Sequence, residues 1–156
     1  MSEITQALSL FPVWKQAVAD FLGEFKYGDL VPHDWLEAHF GMLTIEDSER
    51  LTANAFRARQ FAWLANIEAF KHELLTMHQV CLESVRGEGF RWVPPQEQTG
   101  MATKEFERDA RKTFKSVGQR LKNIRAGELT DSQRRENIDA VAKVSMLRGM
   151  TRKALK

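Results

Sequence analysis

From Phe11 to Phe25 the apolar residues fall at Val13, Trp14, Ala17, Val18, Phe21, Leu22 and Phe25. Steps of three and four place them on one side of a helix, so the pattern predicts a buried helical stripe here. Gly23 and Gly28 loosen its end, and Gly28-Asp29-Leu30-Val31 suits a short strand before Pro32. A second helix is predicted from His33 to Phe40, with Trp35, Leu36 and Phe40 inward and Gly41 as its stop. A polar link with Glu46, Asp47 and Glu49 leads to a long helical pattern from about Thr52 to Leu75. Its apolar positions are Phe56, Trp63, Leu64, Ile67, Phe70 and Leu74, with Phe61 and Leu75 beside them.

The period then changes from helical to strand-like. V-C-L-E-S-V-R-G-E-G-F-R-W-V, from Val80 to Val93, reads as two short strands joined by a glycine turn at Gly87-Glu88-Gly89. Glycine accepts positive φ without a steric cost, so Gly-x-Gly between β-rich runs signals a hairpin. Pro94-Pro95 closes the second strand, because neither residue can donate to a ladder.

Beyond the hairpin the helical period returns. Phe106, Ala110, Phe114, Val117, Leu121 and Ile124 form one narrow stripe, and Gly127 is the expected stop. Thr130-Asp131-Ser132-Gln133 is a capping box. It opens a further helix with Ile138, Val141, Ala142, Val144, Ser145 and Leu147 along its apolar side. A short link between these helices predicts an antiparallel pair. The fold expected is mainly α with a small β-hairpin: a winged-helix-like N-terminal domain over residues 1–95 and a helical hairpin over 96–156. Pro94 to Gly100 is the expected boundary.

The stretch L-E-S-V-R-G-E-G-F-R-W, residues 82 to 92, resembles the wing hairpin of OmpR-type response-regulator effector domains. That family often writes a branched apolar residue, T-V-R-G, one residue, then G-Y-R and an apolar residue. Leu82, Val85, Phe90 and Trp92 match its buried positions, Gly87 and Gly89 its turn, and Arg86 and Arg91 its outward basic positions. The match covers about eleven residues, and no receiver domain accompanies it. The resemblance implies a winged helix whose preceding element enters the major groove. Arg57, Arg59, Gln60, Asn66, Lys71 and His72 would then face bases, while Arg86 and Arg91 approach a phosphate or the minor groove. Two features run against that implication: the preceding helix is apolar and carries Glu68 and Glu73, and the turn carries Glu88. The chain as a whole also resembles small phage-encoded proteins, which would suit an inhibitor docking on a host protein.

Charge sharpens the division. The net charge of +2 conceals 8 Lys/Arg against 14 Asp/Glu in residues 1–100, and 15 against 7 in residues 101–156. An acidic first part is a poor general DNA binder, whereas the basic part suits phosphates or an acidic protein. Arg111, Lys122, Arg125, Arg134, Arg135, Lys143, Arg148, Arg152 and Lys153 lie off the apolar stripes and are the candidate phosphate contacts. A solvated helix face paired at i, i+4, as at Glu107–Arg111 and Arg135–Asp139, is the plainer explanation, although such pairing cannot absorb the excess. The stripes themselves suit packing within the chain or burial against a second copy in a two-fold homodimer.

Catalysis has little footing. His33–His39 and His72–His78 are each six apart, which puts neither pair on one helical face for a metal. Cys81 is the only cysteine, suiting a packed thiol in a reducing, cytoplasmic setting. No glycine loop carries the Lys and Ser/Thr of a phosphate cradle. No apolar run reaches the roughly 18 residues that span a bilayer, and M-S-E-I-T-Q has neither the basic start nor the apolar core of a signal peptide. The expectation is a non-enzymatic protein with no cofactor and no membrane contact, binding double-stranded DNA as a small transcriptional or replication regulator. The rival expectation is an adaptor or inhibitor that docks on a protein partner through the acidic, apolar first domain.

Overall fold

The computed structural model describes residues 11–42 and 51–156. Its elements are α1 (Val13–Glu24), β1 (Leu30–Pro32), α2 (His33–His39), α3 (Ala53–His78), β2 (Leu82–Val85), β3 (Gly89–Trp92), α4 (Pro95–Lys122) and α5 (Asp131–Ala154). A 3-10 turn, Ala126–Glu128, stands between the last two helices. The acidic link with Glu46, Asp47 and Glu49 and the segment M-S-E-I-T-Q lie outside the described residues. The chain divides into two compact units, residues 1–98 and 99–156.

In the first unit, the apolar stripe of α1 supplies Ala17, Val18 and Phe21 to a core completed by Val31, Leu36, Phe40, Ile67, Phe70, Leu74, Leu82, Phe90 and Trp92. The Phe21 ring meets Trp92 at 4.9 Å and Phe70 edge-on at 5.8 Å, joining α1 to the sheet and to α3. Helix α2 is tied to α1 at its surface. Trp35 Nε1 donates to Glu24 Oε2 at 2.8 Å, and His39, stacked on Trp35, lies 3.6 Å from Asp20.

The expected hairpin is part of a three-stranded antiparallel sheet in the order β1-β3-β2. The short strand foreseen before Pro32 pairs with β3, setting Val31 opposite Phe90 and Pro32 opposite Gly89. Register corrects one position. Leu82 pairs with Trp92 and Ser84 with Phe90; of that set Leu82, Phe90 and Trp92 are buried in the core, while Ser84 is exposed. Val85, opposite Gly89, falls with Glu83 and Arg91 on the other face because side chains alternate along a strand.

The long helix also departs from its pattern. Thr52 caps it, its Oγ1 accepting from Ala55 N, but α3 continues past Leu75 to His78. It stops where Gln79 adopts a left-handed conformation, φ 54°, and Val80 N bonds to Leu74 O at 2.9 Å. Only Ile67, Phe70 and Leu74 are buried along it; Phe56 and Leu64, expected inward, are exposed. A helix of 26 residues outruns the small core beneath it, so its first turns have little to pack against.

In the second unit, α4 and α5 form the expected antiparallel pair, with Asn137 Nδ2 donating to Leu121 O at 3.1 Å. The division between the units at 98/99 falls within the expected Pro94–Gly100 boundary, although the backbone there is helical: Pro95 opens α4, which passes unbroken through Gly100. Proline suits a first helical turn, where its missing N–H would have no partner. α4 ends at Lys122 rather than at Gly127, with Asn123 bonded back to Gln119 O. The capping box forms in full: Gln133 N donates to Thr130 Oγ1 and Thr130 N to Gln133 Oε1. Neither helix contains a buried residue, and Ile138 and Leu147, expected on the apolar side of α5, are exposed.

Two glycines at the turn separate sharply in what they tolerate. A Cβ on Gly89 (φ 153°) would collide with the Val31 carbonyl of β1, whereas Gly87 (φ 78°) faces open space. Gly89→Ala is therefore expected to cost about 3 kcal/mol by forcing β1 off β3. Gly87→Ala should cost only about 1 kcal/mol, the left-handed penalty alone. Urea unfolding of both variants checks the order. Gln79→Gly, measured in the same way, should raise stability by up to about 1 kcal/mol, because glycine adopts the left-handed cap without strain.

Candidate nucleic-acid interface

The cations of α4 fall into a pattern that its length makes visible. Lys104, Arg108, Arg111, Lys115 and Lys122 recur at steps of four, three, four and seven, so they share one flank beside the stripe of Ala110, Phe114, Val117 and Leu121. On α5, Arg148 and Arg152 stand four residues apart, and Lys156 follows just beyond the helix end. Two right-handed helices that run antiparallel turn these flanks to the same side of the hairpin. The geometry agrees, because Arg111 of α4 lines one groove with Arg148, Arg152 and Lys156 at the other wall.

That groove has a cavity volume of about 270 Å³, and Ala110, Phe114, Thr151 and Leu155 form its floor. Glu107 is the one acidic side chain in its lining. A narrower cleft of about 30 Å³ adjoins the groove, sharing Phe114 and Arg148 and walled further by Gly118, Leu121, Lys122, Val141, Val144 and Ser145. Among the described residues, Arg111, Lys122, Arg148, Arg152 and Lys156 take part in no ion pair. Their positive charge is therefore left to solvent and to whatever anion enters. The other flank of the hairpin is different: it carries Phe106, Leu147 and Met150, all exposed.

The remaining hairpin candidates are dispersed. Arg134 donates to Ala126 O at 2.9 Å and lies 3.6 Å from Asp131, bracing the 3-10 turn. Arg125 sits 3.8 Å from Glu128. Arg135, Lys143 and Lys153 are exposed and line neither groove. The ion pairs that do form join residues one or three apart, as at Arg108–Asp109 and Arg125–Glu128; Glu107–Arg111 and Arg135–Asp139 are not among them.

In the first unit the candidates are mostly engaged. Arg91 is clamped by Glu97 at 2.8 Å and by its cross-strand neighbour Glu83 at 3.0 Å. Hydrogen bonding to Glu97, then to Glu83, raises the Arg91 pKa above its ordinary value. The sequence pairs Glu83 with Arg91 only through strand register, which is why the reading of an outward cation missed this clamp. Lys71 Nζ lies 5.1 Å over the Phe90 ring, and Arg59 is 3.4 Å from Glu37. Asn66 and Arg59 border an apolar groove of about 360 Å³ with Phe40, Met42, Leu51 and Ala55. Arg57 at the start of α3 and Arg86 at the turn are exposed, as is Glu88.

The histidines and the cysteine have structural surroundings. His33 meets Trp63 and Phe90 edge-on, and half-buried Cys81 directly precedes β2, its carbonyl accepting from Val93 N. Among the described residues no group of three or more His, Cys, Asp or Glu is placed to hold a metal ion, and no helix is long and apolar enough to cross a membrane.

Sequence reasoning named Arg111, Lys122, Arg148 and Arg152 but not their convergence, and it passed over Lys156 altogether. The heptad-like spacing of Lys104, Arg108, Arg111, Lys115 and Lys122 was the signal available. Compared with protein-family models, with curated proteins and with solved structures, the chain matches none.

Proposed function

We propose that this chain is a nucleic-acid-binding protein that grips phosphates with the basic face of its helical hairpin. The observation that carries the reading is that Arg111, Lys122, Arg148 and Arg152, from two antiparallel helices, line two adjoining clefts that share Phe114 and Arg148 and hold one acidic side chain, Glu107. A phosphate backbone supplies the countercharge that the chain does not supply there, and releases its own condensed cations on binding. Arginine suits the task because its planar fork bonds phosphate oxygens two at a time.

The first unit adds a second line of support. Its order α1, β1, α2, α3, β2, β3, with the strands arranged β1-β3-β2, is what a winged helix would require. On that reading α3 is the element before the wing, and Arg57 and Arg86 are its exposed cations. Arg91 serves instead to brace the wing strands against the first turn of α4. A role in regulating transcription or replication follows from this combination of a winged unit and a phosphate grip. The rival role, docking on another protein or on a second copy, is favoured by a separate observation. Phe61, Leu64 and Leu75 are exposed along one side of α3, and contiguous exposed apolar surface of that kind marks protein-interaction sites.

A salt titration of binding to a random duplex and to a single strand tests the proposal. Five groove cations on phosphates should make affinity fall by roughly two to three orders of magnitude between about 50 and 200 mM salt. Arg111→Glu combined with Arg152→Glu should weaken binding and flatten the logarithmic slope by about two or more. Arg120→Glu, on the other flank of α4, should do neither to that extent. No binding to either nucleic acid at low salt, by a folded protein, would leave the docking role as the better account.

A further inference from the structure

We infer that the hairpin groove is built for single-stranded nucleic acid, with an unpaired base seated on Phe114 among its arginines. This rests on the nucleic-acid reading and names the form of ligand that the same site takes.

The groove differs from a surface that merely neutralises a duplex. Phosphates alone need cations; they have no use for an apolar floor. Here the exposed cations Arg111 and Arg152 and the half-buried Arg148, which falls on the seam line of α5 between Val141 and Leu155, share the lining with Ala110, Phe114 and Leu155. Phe114 borders both the wider groove and the narrower cleft, so its ring lies midway along the path. Apolar and aromatic surface among positive charges matches a single strand, whose bases expose faces for stacking and whose backbone keeps its charge.

Shape points the same way. The groove is a concavity of about 270 Å³, the scale of a small-molecule pocket. A base and its sugar enter a space of that size; the stacked pairs of a duplex do not. Duplex readers instead project a helix or ribbon into the major groove. In this chain the ribbon has Arg91 clamped by two carboxylates and carries Glu88 at its turn. The exposed side of α3 interleaves its polar residues Arg57, Gln60 and His72 with Phe61, Leu64 and the acidic Glu68, a mixed face rather than a basic one. From Glu107 to Lys122 the path covers roughly 22 Å along α4. That accommodates about six nucleotides at the spacing of a stacked strand, and fewer if the strand is extended.

The test compares a short fluorescent oligothymidylate with a duplex of equal length, by anisotropy at low salt with the full chain. The single strand should bind more tightly. Phe114→Leu, which keeps the apolar volume of the seam but removes the aromatic face, should lower single-strand affinity by about fivefold to a hundredfold. The same variant should leave duplex affinity and the salt slope nearly unchanged, with helicity by circular dichroism confirming that the hairpin persists. Should Phe114→Leu perturb the hairpin, quenching or shift of a fluorescent base analogue by the unmodified protein supplies an independent readout of stacking. Duplex binding equal to or tighter than single-strand binding, or no effect of Phe114→Leu on a folded protein, overturns the inference while the broader reading stands. Failure of both nucleic acids overturns both. Capture of an acidic helical peptide in their place would assign the groove to a protein partner.

Discussion

Phe21 is where the first unit is joined. Its ring is fully buried against Trp92 of β3, Phe70 of α3 and Phe25 at the end of its own helix. Aromatic pairs of this kind contribute about 0.5–1.5 kcal/mol beyond the area they bury. More important, three elements distant in sequence must all be in register before the ring is enclosed. The position of Trp92 then fixes which face of β3 looks inward. Alternation sends Arg91 to the opposite face, where Glu83 and Glu97 receive it. Thus the fate of a candidate DNA-contacting arginine is decided by a phenylalanine about seventy residues away in sequence.

The second unit obeys the opposite constraint. Two helices can bury only the line along which they touch, and no residue of α4 or α5 is buried. The hairpin therefore retains uncovered apolar surface on both flanks of its seam. On one flank that surface is accompanied by arginine and lysine; on the other it carries Phe106, Leu147 and Met150. Repulsion among unpaired cations disfavours such an arrangement unless an anion offsets it. A groove that combines apolar lining with unpaired cations has two separate deficits, and the single strand proposed for it would meet both.

Much of the fold was legible in the chain. The stripes over Val13–Phe25 and His33–Phe40, the Gly87-Glu88-Gly89 turn and the Thr130–Gln133 capping box each depend on neighbours within a few residues. Local chemistry settles features of that kind. Val13, Leu22, Phe56, Leu64, Ile138 and Leu147 were misassigned, all being exposed, because periodicity reports which side of a helix is apolar, not whether anything lies against it. The end of α3 was misplaced because Gln79 takes a conformation usually given to glycine. The candidate site was legible as a list of cations but not as a surface.

Taken alone, then, the sequence determined the elements, the asymmetry of charge and the identity of the basic side chains, since these follow from composition and short-range period. Tertiary structure decided which charges remain available. Strand register spent Arg91, the 3-10 turn took up Arg134, and antiparallel helix pairing brought Arg111 to face Arg148 and Arg152 across a common floor. Arg91 and Arg134 meet partners within eight residues of themselves, through strand register and a turn, whereas the approach of Arg111 to Arg148 and Arg152 joins residues far apart in the chain. No local pattern specifies such contacts, because their energy appears only when the partners have already been brought together.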